Sequence, residues 1–433
     1  MAFNVKYVST SGGGAADFAD ALFRGQAPDG GLYVPNALPL FDIEAWVGAD
    51  YNQMARGVLK PFADVDADYD FAPYFEATPR NDRTLMRLDA GPTASFKDFA
   101  ARYMARAMAA LRRQPRLTIL VATSGDTGGA VAHAFHRLDG VKVFVLYPEN
   151  EVSPEQKRQL DSFGHNVTAF SVAGKFDDCQ RMVKTAFADP DLAEWSLTSA
   201  NSINVARVLP QSVYYFYAYA HLRQNGVIKA GEKLTFFVPS GNLGDALGAE
   251  LARRMGLPVE CIVMAFNAND AVVRFLQTGR YRPVVPSVVC DSNAMNVGHP
   301  SNLARFVHFY GGTMLPDGTL TRLPNMEEMR RNLAARTVSD PQTEQTVREY
   351  YALTHRIIEP HGAVGWAAAQ TFNGPGVCLE TAHPAKFADY VRRVLGVEPE
   401  LPPSLVVQNQ YPPVAIAAEY EALKKELLAR GDA

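Results

Sequence analysis

Short apolar, β-branched runs alternate with segments of helical periodicity from about residue 91 onward, and this alternation restricts the fold most. The runs lie at 117–122, 141–147, 234–238 and 259–266. The helical segments lie at 130–138, 177–187, 210–225 and 245–255. Strands that alternate with helices form βαβ units, in which neighbouring strands pair in parallel. The sequence therefore predicts an α/β fold with open, twisted, mainly parallel sheets and flanking helices.

The distribution of turn signals and strand–helix patterns along the chain predicts three parts. Residues 1–90 contain many Gly and Pro turn signals, so they are expected to form an N-terminal α+β region of short elements. Residues 91–225 and 226–433 are predicted to be two α/β domains, joined by the turn-rich segment 225–231. Within the second domain, the charged segment 325–358 is expected to form surface helices, and 419–430 a closing helix.

Composition excludes several functional classes. The net charge of -4 and the absence of Lys/Arg-rich runs argue against nucleic acid and anionic membranes as partners. No apolar run approaches the roughly 18 residues of a membrane span, and the first residues lack a secretory signal. The four cysteines are scattered without a Cys-x-x-Cys pair, which disfavours a disulfide framework and a zinc site. We therefore expect a cytoplasmic protein without a bound metal.

The segment Gly-Pro-Thr-Ala-Ser-Phe-Lys-Asp-Phe at 91–99 is the first candidate for chemistry. Ser95 and Asp98 have the spacing of a capping box, which predicts a helix start, and apolar residues follow at helical spacing. Lys97 then lies in the first helical turn, where the helix dipole and partial burial both lower the pKa of its amine. Such a lysine can act as a nucleophile, although a merely solvated lysine would fit the local sequence as well.

Two loops that join a predicted strand to a predicted helix are candidate anion sites. They read Thr-Ser-Gly-Asp-Thr-Gly-Gly at 123–129 and Pro-Ser-Gly-Asn-Leu-Gly-Asp at 239–245. Backbone N–H groups at a helix start bind anions, and Gly241 and Gly244 would let the backbone approach a phosphate closely. Neither loop has the Gly-x-Gly-x-x-Gly spacing or the Gly-Lys-Ser/Thr ending of the commonest phosphate motifs. Each could also be an ordinary turn.

Polar residues also precede a tyrosine-rich helix, at 201–207. Within this segment, Arg207 offers a planar fork that suits a phosphate or a carboxylate. The tyrosines of the helix are expected to pack in the core. A second polar segment, Glu-Thr-Ala-His-Pro at 380–384, ends an apolar run, and its His383 is expected to be structural.

Taken together, these segments resemble the threonine synthase family, in the branch with the longer N-terminal region. The resemblance lies in Tyr-Val-Ser-Thr at 7–10, Asp-Gly-Gly-Leu-Tyr-Val-Pro at 29–35, Gly-Pro-Thr-x-x-Phe-Lys-Asp at 91–98, Thr-Ser-Gly-Asp-Thr-Gly at 123–128, Asn-Ser-Ile-Asn at 201–204, Gly-Asn-x-Gly at 241–244 and Thr-Ala-His-Pro-Ala-Lys-Phe at 381–387. The chain departs from the family at Ala94, where leucine is common, and at Gly362, where threonine is common. Both departures bear on the shape of the pocket.

The resemblance implies a pyridoxal phosphate enzyme of the tryptophan synthase β-like fold, with the active site in the cleft between two α/β domains. It implies that Lys97 is the catalytic residue and binds the cofactor as a Schiff base, and that the cofactor phosphate is held by Ser240, Gly241, Asn242, Leu243 and Gly244. Asp126 would contact the phenolic oxygen of the cofactor, and Thr381 the pyridine nitrogen. Substrate-binding roles are implied for Ser124 and Thr127 at the carboxylate, and for Ser202, Asn204 and Arg207 at the phosphate.

The implied reaction converts O-phospho-L-homoserine and water to L-threonine and phosphate by γ-elimination and hydration at Cβ. Fold-related alternatives are a threonine dehydratase or a cysteine synthase, which need no distal phosphate pocket, so Arg207 and Ser202 discriminate against them. A catalytically silent phospho-amino-acid binder is disfavoured because Lys97 and the 241–244 loop are both present. The resemblance does not determine the oligomeric state, and a homo-oligomer is compatible with it.

Overall fold

The computed structural model of the chain describes residues 5–431. Its strands are β1 Tyr7–Ser9, β2 Tyr33–Pro35, β3 Tyr74–Ala77, β4 Arg83–Arg87, β5 Leu117–Ala122, β6 Val141–Pro148, β7 Val167–Ala173, β8 Leu197–Thr198, β9 Leu234–Pro239, β10 Val259–Phe266, β11 Thr313–Met314, β12 Leu320–Arg322, β13 Leu333–Thr337, β14 Gly376–Glu380 and β15 Val414–Ala417.

The helices alternate with the long strands. They are α1 Phe18–Arg24, α2 Tyr51–Leu59, α3 Lys97–Leu111, α4 Asp126–Phe135, α5 Pro154–Leu160, α6 Phe176–Ala188, α7 Gln211–Gln224, α8 Gly244–Arg254, α9 Ala271–Thr278, α10 Leu303–Phe309, α11 Met326–Asn332, α12 Asp340–Thr354, α13 Pro360–Ala369, α14 Ala388–Leu395 and α15 Tyr420–Gly431. No helix within residues 5–431 is long and apolar enough to span a membrane.

Two larger sheets organise the fold. The six-stranded sheet has the order β13-β10-β9-β14-β4-β3, and each of its pairs is parallel except β3 with β4. The five-stranded sheet has the order β15-β7-β6-β5-β8 and is parallel throughout. The central strands β5 and β9 are buried at every residue, as expected when helices cover both faces of a parallel sheet. The predicted fold class is confirmed.

The predicted elements agree with the structure in kind, with two local exceptions. Helix α4 begins at Asp126, four residues before the predicted start at 130. The segment 325–358 contains the edge strand β13 between helices α11 and α12, so the prediction of helices alone was wrong there. Strand β13 pairs with β10 in parallel, and this long-range pairing outweighs the local helix propensity of its Leu-Ala-Ala-Arg sequence.

The division of the chain at residues 90 and 225 stays a prediction, but the sheets take strands from across those limits. Strands β3 and β4, before residue 90, pair with each other and with β14 in the six-stranded sheet. Strand β15, near the C-terminus, pairs with β7 in the five-stranded sheet. The tyrosine-rich helix α7 is buried along most of its length, as its tyrosines led us to expect.

Candidate active site

The candidate site forms where parallel strands end and helices begin. Strand β5 leads into α4, strand β9 leads into α8, and strand β14 leads into the segment that follows Glu380. The carboxyl ends of parallel strands are the usual place for ligand sites in α/β folds. Side-chain contacts join residues 93–97, 123–127 and 381–386 to one another, and residues 201–207 to 240–244. The charge of Arg207 acts on Lys97 across the two groups.

Lys97 is the first residue of α3. Its side chain is 15% exposed, and its Nζ lies 3.6 Å from Oδ2 of Asp126 and 4.5 Å from the centre of the Phe96 ring. Burial lowers the pKa of Lys97, and the charges of Lys386 and Arg207 lower it further, against the attraction of Asp126. The amine is therefore more readily available in its uncharged, nucleophilic form than that of a solvated lysine.

The predicted capping box at this helix start is absent. The Asp98 carboxylate instead accepts hydrogen bonds from the backbone N–H and the hydroxyl of Thr93, at 2.9 and 2.6 Å. The Ser95 hydroxyl has no hydrogen-bond partner, and no side chain caps α3. The prediction of the cap was wrong because Thr93 is a closer donor than the helix N–H groups, although the helix start was predicted correctly.

Asp126 opens α4 and is held from three sides. Its Oδ1 accepts from Nζ of Lys386 at 2.7 Å and from Nε2 of Gln156 at 2.8 Å, while its Oδ2 faces Lys97. Burial alone would raise the pKa of Asp126, but the two lysine charges outweigh burial and lower it well below its usual range. Asp126 is thus a buried, ionised carboxylate between two lysines.

The backbone before α4 forms a tight turn. The Thr123 hydroxyl accepts hydrogen bonds from the N–H groups of Gly125 and Gly128, at 2.9 and 2.8 Å. Gly125 has a φ of 127°, and a Cβ there would lie 2.4 Å from the Gln156 side chain, so only glycine fits. Ser124 and Thr127 are half-buried, and their hydroxyls form no hydrogen bond within residues 5–431, which leaves both free for a ligand.

The loop at 240–243 between β9 and α8 has the form of a phosphate cradle. Ser240 is buried, and its hydroxyl donates to the carbonyl of Val238 at 2.8 Å. A Cβ on Gly241 would lie 2.8 Å from the backbone oxygen of Ala294, so the loop is closely packed. Leu243 has a φ of 63° and turns the chain into α8, which begins at Gly244. The first N–H groups of α8 have no partner within that helix, so they are available to an anion at this loop.

Asn242 joins this loop to the 201–207 segment. Its Nδ2 donates to the Ser202 hydroxyl at 2.6 Å, and its Oδ1 accepts from the backbone and the hydroxyl of Ser301, at 2.6 and 2.9 Å. The carbonyl of Ser202 accepts from Arg305 at 3.0 Å. These contacts position Ser202 next to the predicted phosphate loop.

Arg207 lies in a buried 3₁₀ turn, and its side chain has no acidic partner. One guanidinium nitrogen donates to the carbonyl of Ala200 at 2.6 Å, but Nε has no hydrogen-bond partner. Burial lowers the pKa of Arg207 to about 10, and the charge that counteracts burial most is that of Asp98. No carboxylate within residues 5–431 forms an ion pair with Arg207, so this buried cation lacks the anion that such a group requires.

Comparison with known proteins decides the family. Three family descriptions match the chain: threonine synthase N terminus at residues 6–71, pyridoxal-phosphate dependent enzyme at 73–379, and threonine synthase, C-terminal, at 362–413. The threonine synthase of Serratia marcescens is 37% identical over 432 residues, which cover 95% of this chain and 96% of that protein. This chain belongs to the threonine synthase family.

Solved structures of the threonine synthase family share the whole fold. The pyridoxal phosphate-bound threonine synthase from Brucella melitensis has a TM-score of 0.89 at 33% identity and covers 99% of this chain and 100% of that one. The Escherichia coli threonine synthase has a TM-score of 0.87 at 35% identity and covers 98% of this chain and 99% of that one. Maize serine racemase has a TM-score of 0.54 at 16% identity, covers 77% of this chain and 92% of that one, and shows the fold alone.

Thr381 follows β14 directly. The threonine synthase resemblance implies that this residue contacts the pyridine nitrogen of the cofactor. The Thr381 hydroxyl donates to Oε1 of Glu359 at 3.2 Å. Glu359 also accepts from the backbone N–H groups of His361 and Gly362 and from Nδ1 of His361. Because the Thr381 proton is directed to Glu359, the lone pairs of its oxygen remain available to accept from a ligand.

Asn204 is the predicted site residue that the structure holds apart from the others. It is fully buried, and its Nδ2 donates to the carbonyls of Leu22 and Ser199, at 2.7 and 3.1 Å. Its Oδ1 accepts from the backbone N–H of Ala206 at 3.1 Å. The amide is therefore engaged by the backbone of the 199–206 segment, which makes direct contact with substrate unfavourable.

Sequence reasoning assigned no role to Lys386, Gln156, Glu359 or Asp245, which the structure brings to the site. Asp245 accepts from the hydroxyls of Tyr214 and Tyr215, both at 2.6 Å, and its Oδ2 has no partner. Burial raises the pKa of Asp245 to about 6. A lysine within the apolar segment Pro-Ala-Lys-Phe was a signal for a buried charge at Lys386; the other three residues carried no local signal.

Proposed function

We propose that this chain converts O-phospho-L-homoserine and water to L-threonine and phosphate, with pyridoxal phosphate bound at Lys97. Membership of the threonine synthase family supports this proposal. The structural observation that carries it is Arg207, a buried guanidinium with no ion pair to a carboxylate within residues 5–431, in the same segment as Ser202. A second phosphate, distinct from that of the cofactor, would supply the anion that this buried cation lacks.

The residues present fit pyridoxal phosphate. The packed loop around Gly241 and the open helix start at Gly244 suit the cofactor phosphate, because a loop without a side chain at Gly241 lets an anion approach the backbone and a Cβ there would lie 2.8 Å from the backbone oxygen of Ala294. The Lys97 amine, whose pKa burial lowers, suits covalent attachment, and the hydroxyl of Thr381 suits a contact with the pyridine nitrogen. Asp126 is held within reach of Lys97, as expected for a contact near the point of attachment.

The substrate would be held at both of its ends. The free hydroxyls of Ser124 and Thr127 would bind its carboxylate near the start of α4, where the helix dipole favours an anion. Arg207 and the hydroxyl of Ser202 would bind its phosphate at the other end. Asn204 would support this segment from behind rather than touch the substrate.

Bound pyridoxal phosphate supplies an electron sink for charge that develops at the substrate carbons. With the substrate bound, the free Lys97 amine would remove the proton at Cα and move protons at Cβ and Cγ. Arg207 would stabilise the negative charge of the phosphate as the Cγ–O bond breaks. Water then adds at Cβ while Cγ and Cα are protonated, which yields the methyl and hydroxyl groups of L-threonine.

We propose a cytoplasmic location, on the scattered cysteine pattern of the sequence. Cys179, Cys261, Cys290 and Cys378 form no disulfide within residues 5–431, and three of them are buried. Burial raises the pKa of Cys378 and that of Cys179, so these thiols are inert under cytoplasmic conditions.

The direct test is to incubate the purified protein with O-phospho-L-homoserine and to assay threonine and phosphate in the same sample. We expect the two products in equal amounts, and neither with the Lys97→Ala variant. Incubation with L-threonine or L-serine is the test for a dehydratase, and it should yield no oxoacid at a comparable rate. Phosphate without threonine, or oxoacid as the main product, would contradict the proposal.

A further inference from the structure

Lys386 is a second lysine buried beside Lys97, and the substrate and cofactor assignments above give it no role. Only 1% of its side chain is exposed. It lies in the 3₁₀ turn Pro384–Phe387, and its Nζ donates to Oδ1 of Asp126 at 2.7 Å and to the carbonyl of Thr93 at 2.8 Å. We propose that Lys386 is a positioning residue that binds the Asp126 carboxylate and thereby keeps the Lys97 amine available in its uncharged form.

The geometry around Asp126 supports this assignment. Both short contacts of the carboxylate, from Lys386 and Gln156, reach Oδ1, whereas Lys97 lies 3.6 Å from Oδ2. Lys386 is thus the close ionic partner, and Lys97 is the distant one. Without Lys386, the buried carboxylate would have Lys97 as its remaining cationic partner, and it would hold that amine as an ammonium ion.

The charged groups that face Lys97 shift the pKa of its amine in opposite directions. They are Asp126, Lys386, Arg207 and Asp245. The carboxylate of Asp126 favours the ammonium form of Lys97, while the positive charges of Lys386 and Arg207 oppose it. Lys386 itself faces Asp126, Asp98 and His383. Removing the charge of Lys386 therefore removes a repulsion at Lys97 and leaves Arg207 as the remaining positive charge that opposes the attraction of Asp126.

A purely structural role predicts a different outcome. Through its hydrogen bond to the carbonyl of Thr93, Lys386 also ties the segment before α3 to the start of α4. If that tie were its whole contribution, loss of Lys386 would lower the stability of the fold and leave the proton equilibrium of Lys97 unchanged. The two roles are therefore separated by a titration of Lys97 rather than by a loss of activity.

The measurement is the pH dependence of Lys97 modification by reductive methylation, followed by mass spectrometry, on the full-length chain after removal of the cofactor. In Lys386→Met and Lys386→Gln, the titration midpoint of Lys97 should rise by about one pH unit or more. At pH 7 its labelling rate should fall about tenfold. Gln can still donate to Asp126, so this variant retains the contact and loses only the charge. Lys386→Arg, which keeps the charge, should restore the wild-type midpoint.

Lys424→Met is the matched control, because Lys424 forms ion pairs with Asp189 and Asp191 at 2.9 and 2.6 Å, on helix α15. Its loss should leave the midpoint of Lys97 unchanged. A wild-type midpoint in folded Lys386→Gln would overturn the proposal.

If neither neutral variant folds, the comparison of Asp126→Asn with Asp126→Asn/Lys386→Met decides, since neither protein has an unpaired carboxylate at this position. The proposal predicts a higher Lys97 midpoint in the double variant, whereas identical midpoints would leave Lys386 only its tie to Thr93.

In the holoenzyme, the acid-side midpoint of kcat should rise together with the labelling midpoint in Lys386→Gln, because Lys97 acts as a free base only with substrate bound and a base with a raised pKa loses its proton only at higher pH. This step rests on the proposed role of Lys97 as the base. The labelling of the cofactor-free chain does not use O-phospho-L-homoserine. Labelling shifts without threonine formation would therefore contradict the proposed function alone, and threonine formation without labelling shifts would contradict the role of Lys386 alone.

Discussion

Replacement of Arg207 by Ala tests the phosphate end of the site. In the structure, the guanidinium is buried, donates to the carbonyl of Ala200, and has an unpartnered Nε. The Ser202 hydroxyl, which would share the substrate phosphate with it, is held by Asn242. Loss of the guanidinium would leave a doubly charged phosphate in a buried position with a hydroxyl as its main remaining donor.

The expected loss can be estimated from the burial of the pair. Truncating one partner of a buried, hydrogen-bonded charge pair costs about 2–5 kcal/mol. At about 1.4 kcal/mol for each factor of ten, Arg207→Ala should lose roughly thirty-fold or more in kcat/KM for O-phospho-L-homoserine. Arg207→Lys should recover part of the loss, because a point charge cannot reproduce a bidentate fork. The cofactor should remain bound, since its phosphate is proposed to bind in the separate loop that begins at Ser240.

Arg223→Ala is the matched control for this experiment. Arg223 lies on helix α7, and its guanidinium forms an ion pair with Glu44 at 2.9 Å near the surface. Its loss should change stability by less than about 1 kcal/mol and leave kcat/KM near the wild-type value. Steady-state kinetics with saturating cofactor give the answer. If Arg207→Ala retained the kcat/KM of the control, Arg207 would not bind the substrate phosphate and the reasoning from its missing partner would be refuted.

Four further substitutions test the other parts of the site. Lys97→Ala should abolish turnover and leave the circular dichroism spectrum of the fold unchanged, and peptide mapping after borohydride reduction of the wild type should find the cofactor on Lys97. Gly241→Val should weaken cofactor binding by about 1–3 kcal/mol in a spectroscopic titration, because the new side chain meets a backbone carbonyl 2.8 Å away. Thr381→Asp should alter the visible spectrum of the cofactor and the ratio of threonine to side products, because a second carboxylate would face Glu359 and the ring nitrogen. The pKa of Asp245 is about 6 in the folded chain, against an ordinary value of 3.8. Between these two values the folded state binds more protons than the unfolded state. The free energy of unfolding should therefore fall as pH rises from about 4 to 6. Asp245→Asn should remove a contribution on the order of 2 kcal/mol to that fall between pH 4.5 and 7, as measured by urea unfolding at the two pH values.

For each of these substitutions, one result would contradict the expected effect. Cofactor on a lysine other than Lys97 would refute that attachment. Gly14→Val, outside the loop, is the matched control for Gly241→Val, because nothing lies within 4 Å of a Cβ on Gly14. Equal cofactor affinity in the two variants would reassign the loop. An unchanged spectrum in Thr381→Asp would argue against contact with the ring. An identical pH dependence in Asp245→Asn and wild type would show that this carboxylate titrates normally.

The alternation of strands and helices could be predicted from sequence because each element carries its own periodicity. Strands β5 and β10 have the predicted bounds, and β9 differs from its predicted bounds by one residue. The start of α3 was also predicted, from the apolar spacing after Lys97. The detail of its cap was not, because the Asp98 side chain had a competing donor in Thr93 that lies close only in the folded turn.

Contacts between distant segments could not be predicted from a single sequence. Lys386 and Asp126 are 260 positions apart in the chain, and their ion pair forms because the segment after β14 lies against the start of α4. The hydrogen bond between Thr381 and Glu359 depends likewise on how α13 packs next to β14. Strand β13 shows the same effect on secondary structure, since its residues have no strand pattern and pair with β10 through the fold.

The most direct test of the proposed reaction is the fate of oxygen during turnover of O-phospho-L-homoserine in ¹⁸O-labelled water. Elimination breaks the Cγ–O bond, so the released phosphate should keep its original oxygen and contain no ¹⁸O. Water adds at Cβ, so the L-threonine formed should carry one ¹⁸O atom, in its hydroxyl group. Mass spectrometry of both products measures this directly. Phosphate that contains ¹⁸O, with homoserine as the other product, would mean hydrolysis at phosphorus and would contradict the proposed function.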